Sequence, residues 1–255
     1  MPLEILTVPC RTDNYAFLIH NPDTDETALV DAPELAPIEA ALEKHGWTLT
    51  DLLITHHHYD HVEAVQPLRQ TYNCKVIGAR ADVERLPRLD HGVEDGDTLT
   101  ICGAQCQVMD VSGHTLGHLA FYFPSSDAVF TADSLMALGC GRLFEGTPEQ
   151  MWTSLSKLKA LPPETMVYSG HEYTQANAKF ALTIEPDNAA LISRVEQIAD
   201  LRRQNIPTVP SRLSDELETN PFLRADLPVV QDAIHMKEQG AAQVFAEIRR
   251  QKDNF

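Results

Sequence analysis

The sequence predicts an α/β fold with a helical C-terminal region. Strand-like apolar runs alternate with amphipathic helical runs over the first two thirds of the chain, and several of those strands end in histidine or aspartate. From about Tyr173 the strand signals give way to helical spacing. Ligand-type residues at strand exits occupy the rim where α/β sheets place their chemistry.

The chain opens on strands: EILTV from Glu4, NYAFLIH from Asn14, an NPDTD turn at Asn21, and ETALVD ending at Asp31. PELAPIEAALEKHG follows as a helix because Leu35, Ile38 and Leu42 share one face and Gly46 supplies a stop. DLLIT, from Asp51 to Thr55, is a short apolar strand, and VEAVQPLRQTY beyond His61 reads as a helix. CKVIG from Cys74 is strand-like, while TLTI and QCQVMDV, between Thr98 and Val111, pair across Cys102-Gly103-Ala104. LAFYF and AVFTAD are strands separated by a PSSD turn at Pro124. Thr147 is the N-cap and Pro148 the first residue of the helix PEQMWTSLSKLKAL, which buries Met151, Leu155 and Leu158. TMVYS is a strand ending at Ser169, and beyond it Leu191, Val195, Ile198 and Leu201 line one helical face. The expected organisation is a domain over residues 1–173 followed by a helical domain over 174–255.

A hydrophobic fraction of 43% with 22% charged residues over 255 positions suits a folded globular chain with one substantial core. No apolar run reaches the ~20 residues a bilayer span needs. MPLEILTVPC lacks the basic-then-apolar pattern of a leader, so a cytoplasmic location without membrane association is expected. Cys10, Cys74, Cys102, Cys106 and Cys140 are scattered without CxxC pairs and read as reduced packing residues. A net charge of -17 argues against nucleic acid, and an anionic substrate would need a local basic patch. The expected partner is a small molecule, bound by a monomer.

ITHHHYDH places His56, His57, His58, Asp60 and His61 at the exit of DLLIT. Three further strands deliver a ligand type: QVMDVSGHT brings His114, AVFTAD brings Asp133, and TMVYSGH brings His171. A lone histidine at a strand end is ordinarily a packing or surface residue, but packing does not explain four such strands. The seven candidates, His56, His58, Asp60, His61, His114, Asp133 and His171, exceed the needs of one tetrahedral zinc. They suit two catalytic metals sharing a carboxylate and a water. His57 has the wrong parity to point with His56 and His58. Asp31, Thr55, His57, Ser112 and Ser169 are candidates for supporting the ligands, with ordinary packing the preferred reading. His118 has no metal role in this scheme, and His20, His45, His91 and His235 are expected to face solvent.

The run His56-His57-His58-Tyr59-Asp60-His61 resembles HxHxDH, the signature of the metallo-β-lactamase fold family. That resemblance implies an αββα sandwich, with His56, His58 and His114 on one metal, Asp60, His61 and His171 on the other, and Asp133 as the bridge. Over essentially its whole length the chain also resembles the glyoxalase II, or hydroxyacylglutathione hydrolase, family. The similar motifs are DNYAFLI at Asp13, CGRLFEG at Cys140, GHEYT at Gly170, NPFLR at Asn220 and the terminal IRRQKDNF.

This second resemblance implies hydrolysis of S-D-lactoylglutathione to glutathione and D-lactate, the second step of methylglyoxal detoxification. The implied cofactors are two divalent metal ions, zinc first, with iron or manganese as alternatives. They lower the pKa of a shared water from 15.7 towards about 7, and the hydroxide, held beside Asp60 and Asp133, attacks the thioester carbonyl. By the same resemblance Arg142, Phe144, Tyr173, Arg249 and Lys252 contact glutathione. Arg249 and Lys252 share the side of Phe245 on the helix through AAQVFAEIRRQKD, and replacing both by alanine is expected to raise KM with little change in kcat. The chain departs from the family pattern at Glu63 and Ala64, where two glycines are common, at Arg142 where lysine is frequent, and at Phe144 where tyrosine occurs. A mononuclear iron oxygenase of persulfides and a non-catalytic metal-binding relative are the competing readings, separated by metal stoichiometry and thioester turnover.

Overall fold

In the computed structural model, which describes residues 3–255, strand β1 (Glu4–Cys10) runs antiparallel to β2 (Asn14–Asn21), with Glu4 opposite His20 and Cys10 opposite Asn14. The first two residues of the N-terminal segment read above lie outside the described residues. Strand β2 is buried along seven of its eight positions and pairs with β3 (Glu26–Val30). Helix α1 (Leu35–His45) buries Ile38 and Leu42 and ends at Gly46, whose φ of 71° is open to glycine without strain. It returns the chain to β4 (Leu49–Leu53), which lies parallel to β3.

The strand expected over 51–55 therefore starts earlier and ends before the ligands. The Asp31 carboxylate accepts from the Thr55 backbone N–H at 2.9 Å, taking the place of a strand partner. The helix expected after His61 is split into α2 (Tyr59–Val62), which carries two of the candidate ligands itself, and α3 (Val65–Tyr72). The break has a physical cause: the Ala64 N–H donates to Ala32 O at 2.9 Å instead of to the preceding helical turn.

Strands β5 (Lys75–Ala79) and β6 (His91–Val93) continue in parallel, giving the sheet order β1-β2-β3-β4-β5-β6. Strands β7 (Thr98–Ile101), β8 (Ala104–Asp110), β9 (Leu119–Phe123) and β10 (Ala128–Ala132) form an antiparallel meander. All positions of β9 and β10 are buried, as expected of strands covered on both faces. Phe17 of β2 meets Phe130 of β10 with ring centroids 5.6 Å apart, so the two sheets share an aromatic core. Residues 3–110 and 116–132 make up this first compact unit.

The second unit comprises residues 111–115 and 133–255. It begins with a two-rung hairpin, β11 (Leu135–Met136) with β12 (Gly139–Cys140). Helix α4 (Pro148–Lys159) starts on the expected Thr147 cap, where Thr147 and Gln150 exchange side-chain and backbone hydrogen bonds, and it buries Met151, Leu155 and Leu158. Strand β13 (Met166–Ser169) is followed by α5 (Thr174–Ile184) and α6 (Ala189–Arg203), then pairs with β14 (Ser211–Arg212). Leu191, Ile198 and Val195 of α6 pack on Ala178 and Ala181 of α5, as their spacing predicts. Helices α7 (Leu213–Thr219), α8 (Pro228–Ala233) and α9 (Ala241–Asp253) complete the unit. Phe222 joins Phe180 of α5 to Phe245 of α9, at 6.1 and 5.8 Å.

All five cysteines are buried and unbridged, in keeping with packing roles. His20 overturns its expectation. It is buried, stacked on Trp47 at 4.4 Å and hydrogen-bonded to Thr27 Oγ1 at 2.9 Å, because β2 is covered on both faces.

Candidate metal centre

In the first unit the candidate ligands hang on a network headed by Asp31, which ends β3 with a left-handed φ of 56°. Its Oδ2 accepts from Thr55 Oγ1 at 2.8 Å and from His61 Nδ1 at 2.7 Å. Because the Thr55 hydroxyl spends its single proton on Asp31, it accepts from His56 Nδ1, 3.0 Å away. Both imidazoles are thereby set in the tautomer that carries a lone pair on Nε2, the form that binds a metal. Asp31 is thus an orienting group rather than the ordinary packing residue preferred from sequence.

His56 Nε2 lies 3.2 Å from His58 Nδ1. Two nitrogens bound to one zinc at 2.0–2.1 Å in tetrahedral geometry stand about 3.4 Å apart, so this pair fits a shared metal. Asp31, His56 and His61 also place one donor atom each within a 4.8 Å cluster. Asp60 is oriented by Asn14, whose side-chain amide donates to Asp60 Oδ2 at 3.0 Å and to Asp60 O at 3.1 Å. His57 turns away as its parity predicts: its Nδ1 is 3.1 Å from Asp82 Oδ2, and Asp82 in turn accepts from Arg85. His118 is fully buried and stacks on His56 at 4.5 Å.

The departure at Glu63 also has a partner here. Glu63 forms an ion pair with Arg11, whose guanidinium covers the exposed Tyr59 ring at 5.1 Å. The extra carboxylate is neutralised at the surface.

In the second unit Asp133 is the shared feature. Its Oδ2 lies 3.4 Å from His114 Nε2 and 3.3 Å from His171 Nε2. His114 Nδ1 donates to Arg142 O at 2.7 Å, which again leaves the Nε2 lone pair for a metal. Gly141 is required here, since a Cβ would collide with Asp133 O and fall 2.9 Å from His114 Nδ1. The Phe144 ring stands edge-on to His114 at 5.2 Å, and Tyr173 stacks flat on His171 at 4.7 Å. Both aromatic rings are exposed on their other side.

The basic residues are less alike than their sequence positions suggest. Arg142 is exposed and reaches Asp253 with Nε at 3.3 Å. Lys252 lies 5.2 Å from the centroids of both Phe180 and Phe255 and donates to Ala176 O at 3.2 Å. Burial, with help from the Arg249 charge and against the pull of Asp253, lowers its pKa to about 8. Arg249 is buried: it donates to Cys140 O at 2.9 Å, pairs with Asp253 at 3.0 Å and lies 5.1 Å over the Phe222 ring.

Known proteins resemble the chain along both of its parts. Residues 12–171 match the metallo-beta-lactamase superfamily, and residues 172–255 match the hydroxyacylglutathione hydrolase C-terminus. A protein of Ruegeria pomeroyi named hydroxyacylglutathione hydrolase is 60% identical over the full length of both chains. The chain belongs to the hydroxyacylglutathione hydrolase family. Its metallo-β-lactamase fold recurs in ETHE1 from Myxococcus xanthus, 27% identical, with a TM-score of 0.59 over 92% of this chain and all of that one. It recurs too in TTHA1623, solved in a di-iron-bound form, 29% identical with a TM-score of 0.57 over 66% of this chain and 91% of that one.

In this hydroxyacylglutathione hydrolase family member, sequence reasoning did not single out Asn14, Asp82 or Asp253. Asn14 carried a signal in the DNYAFLI motif. Asp82 and Asp253 are ordinary acidic residues until their partners are known. The donor set, imidazole and carboxylate with the tautomers fixed from behind, is able to hold metal.

Proposed function

We propose that the chain hydrolyses S-D-lactoylglutathione, and related S-2-hydroxyacylglutathione thioesters, to glutathione and the free hydroxy acid. The observation that carries this reading is similarity along both parts of the chain, including the C-terminal helical region at 172–255, rather than the fold alone. We assign His56, His58 and His114 to one metal, Asp60, His61 and His171 to the other, and Asp133 as the bridge, with zinc as the metal and iron or manganese as alternatives. When bound, two such ions supply an ionised water at neutral pH and Lewis acidity toward the thioester carbonyl.

The chain's own groups do the rest. Thr55, Asp31 and the Arg142 carbonyl hold protons on the Nδ1 atoms of His56, His61 and His114, while Asn14 fixes the Asp60 carboxylate. Arg142 and Lys252 attract the carboxylates of the tripeptide, a local offset to the net charge of -17. Phe144 and Tyr173 flank two ligand imidazoles and present apolar faces to the substrate. A glutathione thiolate has a conjugate acid with a pKa of roughly 8.5, so it departs without a general acid. We place this activity in the cytosol on the five unbridged cysteines, and in a monomer as the simplest assembly. Among the described residues no helix is long and apolar enough to cross a membrane.

Steady-state hydrolysis of S-D-lactoylglutathione by protein of known metal content, beside a chelated sample, tests the reading. Turnover that vanishes on chelation and returns with metal is the expected result. No turnover by protein carrying two metals per chain would overturn the substrate assignment.

A further inference from the structure

The segment from Asp133 to Phe144 carries the proposed bridging carboxylate at one end and Arg142 and Phe144 at the other. Its own secondary structure is only the two rungs of the β11–β12 hairpin, and Leu138 at its tip sits at a left-handed φ of 56°. A hairpin this short does not hold one conformation by itself. The Gly141 N–H donates to Ser134 O at 3.2 Å and the Phe144 N–H to His114 O at 3.1 Å, while the backbone polar groups of residues 136–140 are met by side chains of the helical region.

The Asn220 side-chain amide donates to Met136 O at 3.1 Å and to Gly139 O at 3.0 Å. Asn177 donates to Ala137 O at 3.0 Å. Glu216 accepts from the Leu138 N–H at 2.8 Å, and Arg249 donates to Cys140 O at 2.9 Å. Five successive residues, 136 to 140, are thus each held by a side chain from residue 177 or beyond. The clamp is braced in turn. Glu216 is fully buried, bonded to the Asn220 amide at 3.0 Å and ion-paired with Arg194, while Asn220 Oδ1 accepts from the Phe222 N–H at 3.0 Å. Gly139 leaves no room for slippage, because a Cβ there would lie 2.5 Å from Asn177 Nδ2.

We propose that Asn220, together with Glu216 and Asn177, is a positioning residue for the metal centre, fixing the segment that aims Asp133. The helical region then has a second task beyond substrate contact: it sets the geometry of the bridging carboxylate. This inference rests on the reading of Asp133 as a metal ligand. The NPFLR motif finds its use here, with its asparagine bonding the hairpin backbone and its phenylalanine bridging the helices.

The test uses full-length wild type, Asn220→Ala and Asn177→Ala, with metal affinity measured by chelator competition and turnover measured on metal-saturated protein. The proposal expects metal affinity to fall about 10- to 100-fold in Asn220→Ala, the range for partners that orient ligands, and less in Asn177→Ala. It expects kcat to fall at least tenfold in Asn220→Ala, with a smaller rise in KM, because the same segment also carries Arg142 and Phe144. Asn177→Ala removes a single hydrogen bond and keeps the test available if Asn220→Ala does not fold. A folded variant of either kind with wild-type metal affinity and kcat, and only a lowered Tm, would overturn the proposal. Wild-type protein that takes up no metal would instead sink the metal reading itself.

Discussion

The Asp253 carboxylate lies 3.0 Å from the Arg249 guanidinium, one helical turn earlier, and 3.3 Å from Arg142 Nε. The cationic patch expected from sequence is therefore built around an anion. Asp253 tethers two of its three cations and partly offsets the burial that lowers the Lys252 pKa. It trades attraction for order, since a tethered guanidinium loses less rotamer freedom when substrate arrives.

Asp253→Asn tests that trade. Removing the charge while keeping the shape raises the local positive potential, so KM for the glutathione thioester is expected to fall about two- to threefold at low ionic strength. The gain disappears at high salt. An unchanged KM at low salt would mean the carboxylate does not compete with substrate.

The pH dependence of binding follows from Lys252, whose pKa is lowered to about 8 from 10.5. Its positive charge is present below about pH 8 and fades above it, so KM is expected to rise between pH 7 and 9. Lys252→Arg flattens that rise. Stability moves the other way: the unfolded chain binds the proton more tightly, so the cost of the buried ammonium is constant below about 8 and is relieved as pH rises toward 10.5. Unfolding midpoints of wild type and Lys252→Met across that window measure the difference.

Arg249 and Lys252, paired in sequence reasoning as one patch, are expected to separate on mutation. Lys252→Ala removes a partly exposed cation and should raise KM alone. Arg249→Ala leaves Cys140 O without its buried donor and should lower Tm and kcat as well, with a stability loss of about 1–3 kcal/mol. The double variant then lowers kcat, contrary to the uniform-binding behaviour expected from sequence. Equal kcat in all three proteins would restore the simpler view.

Asp31→Ala is expected to weaken metal binding about 10- to 100-fold, because His61 loses the acceptor that fixes its tautomer. It also leaves the buried Thr55 N–H without its partner. Metal content after dialysis against a weak chelator reads the first effect, and the Tm of the metal-free protein reads the second. Full metal retention would show that Asp31 only packs.

The sequence alone determined the fold class, the longer strands and amphipathic helices, and the seven candidate ligands, because those signals are local; the short strands β6, β11, β12 and β14 and the helices α5, α7 and α8 carried no such signal. Alternation and helical spacing record burial, and HxHxDH places its donors within one strand exit and one helical turn. Motifs spread from Asp13 to Phe255 carried the family as well. Tertiary structure decided what depends on distant partners. It ended β4 at Leu53 because Asp31, 24 residues earlier, takes the Thr55 N–H, and it split the next helix because Ala64 bonds to Ala32. It buried His20 and Arg249, which sequence placed on the surface or in a binding patch, and it joined Asp253 to Arg142 across 111 positions. Hydrogen-bond partners of a buried polar group are chosen by proximity in space, and no periodicity in the chain encodes that proximity.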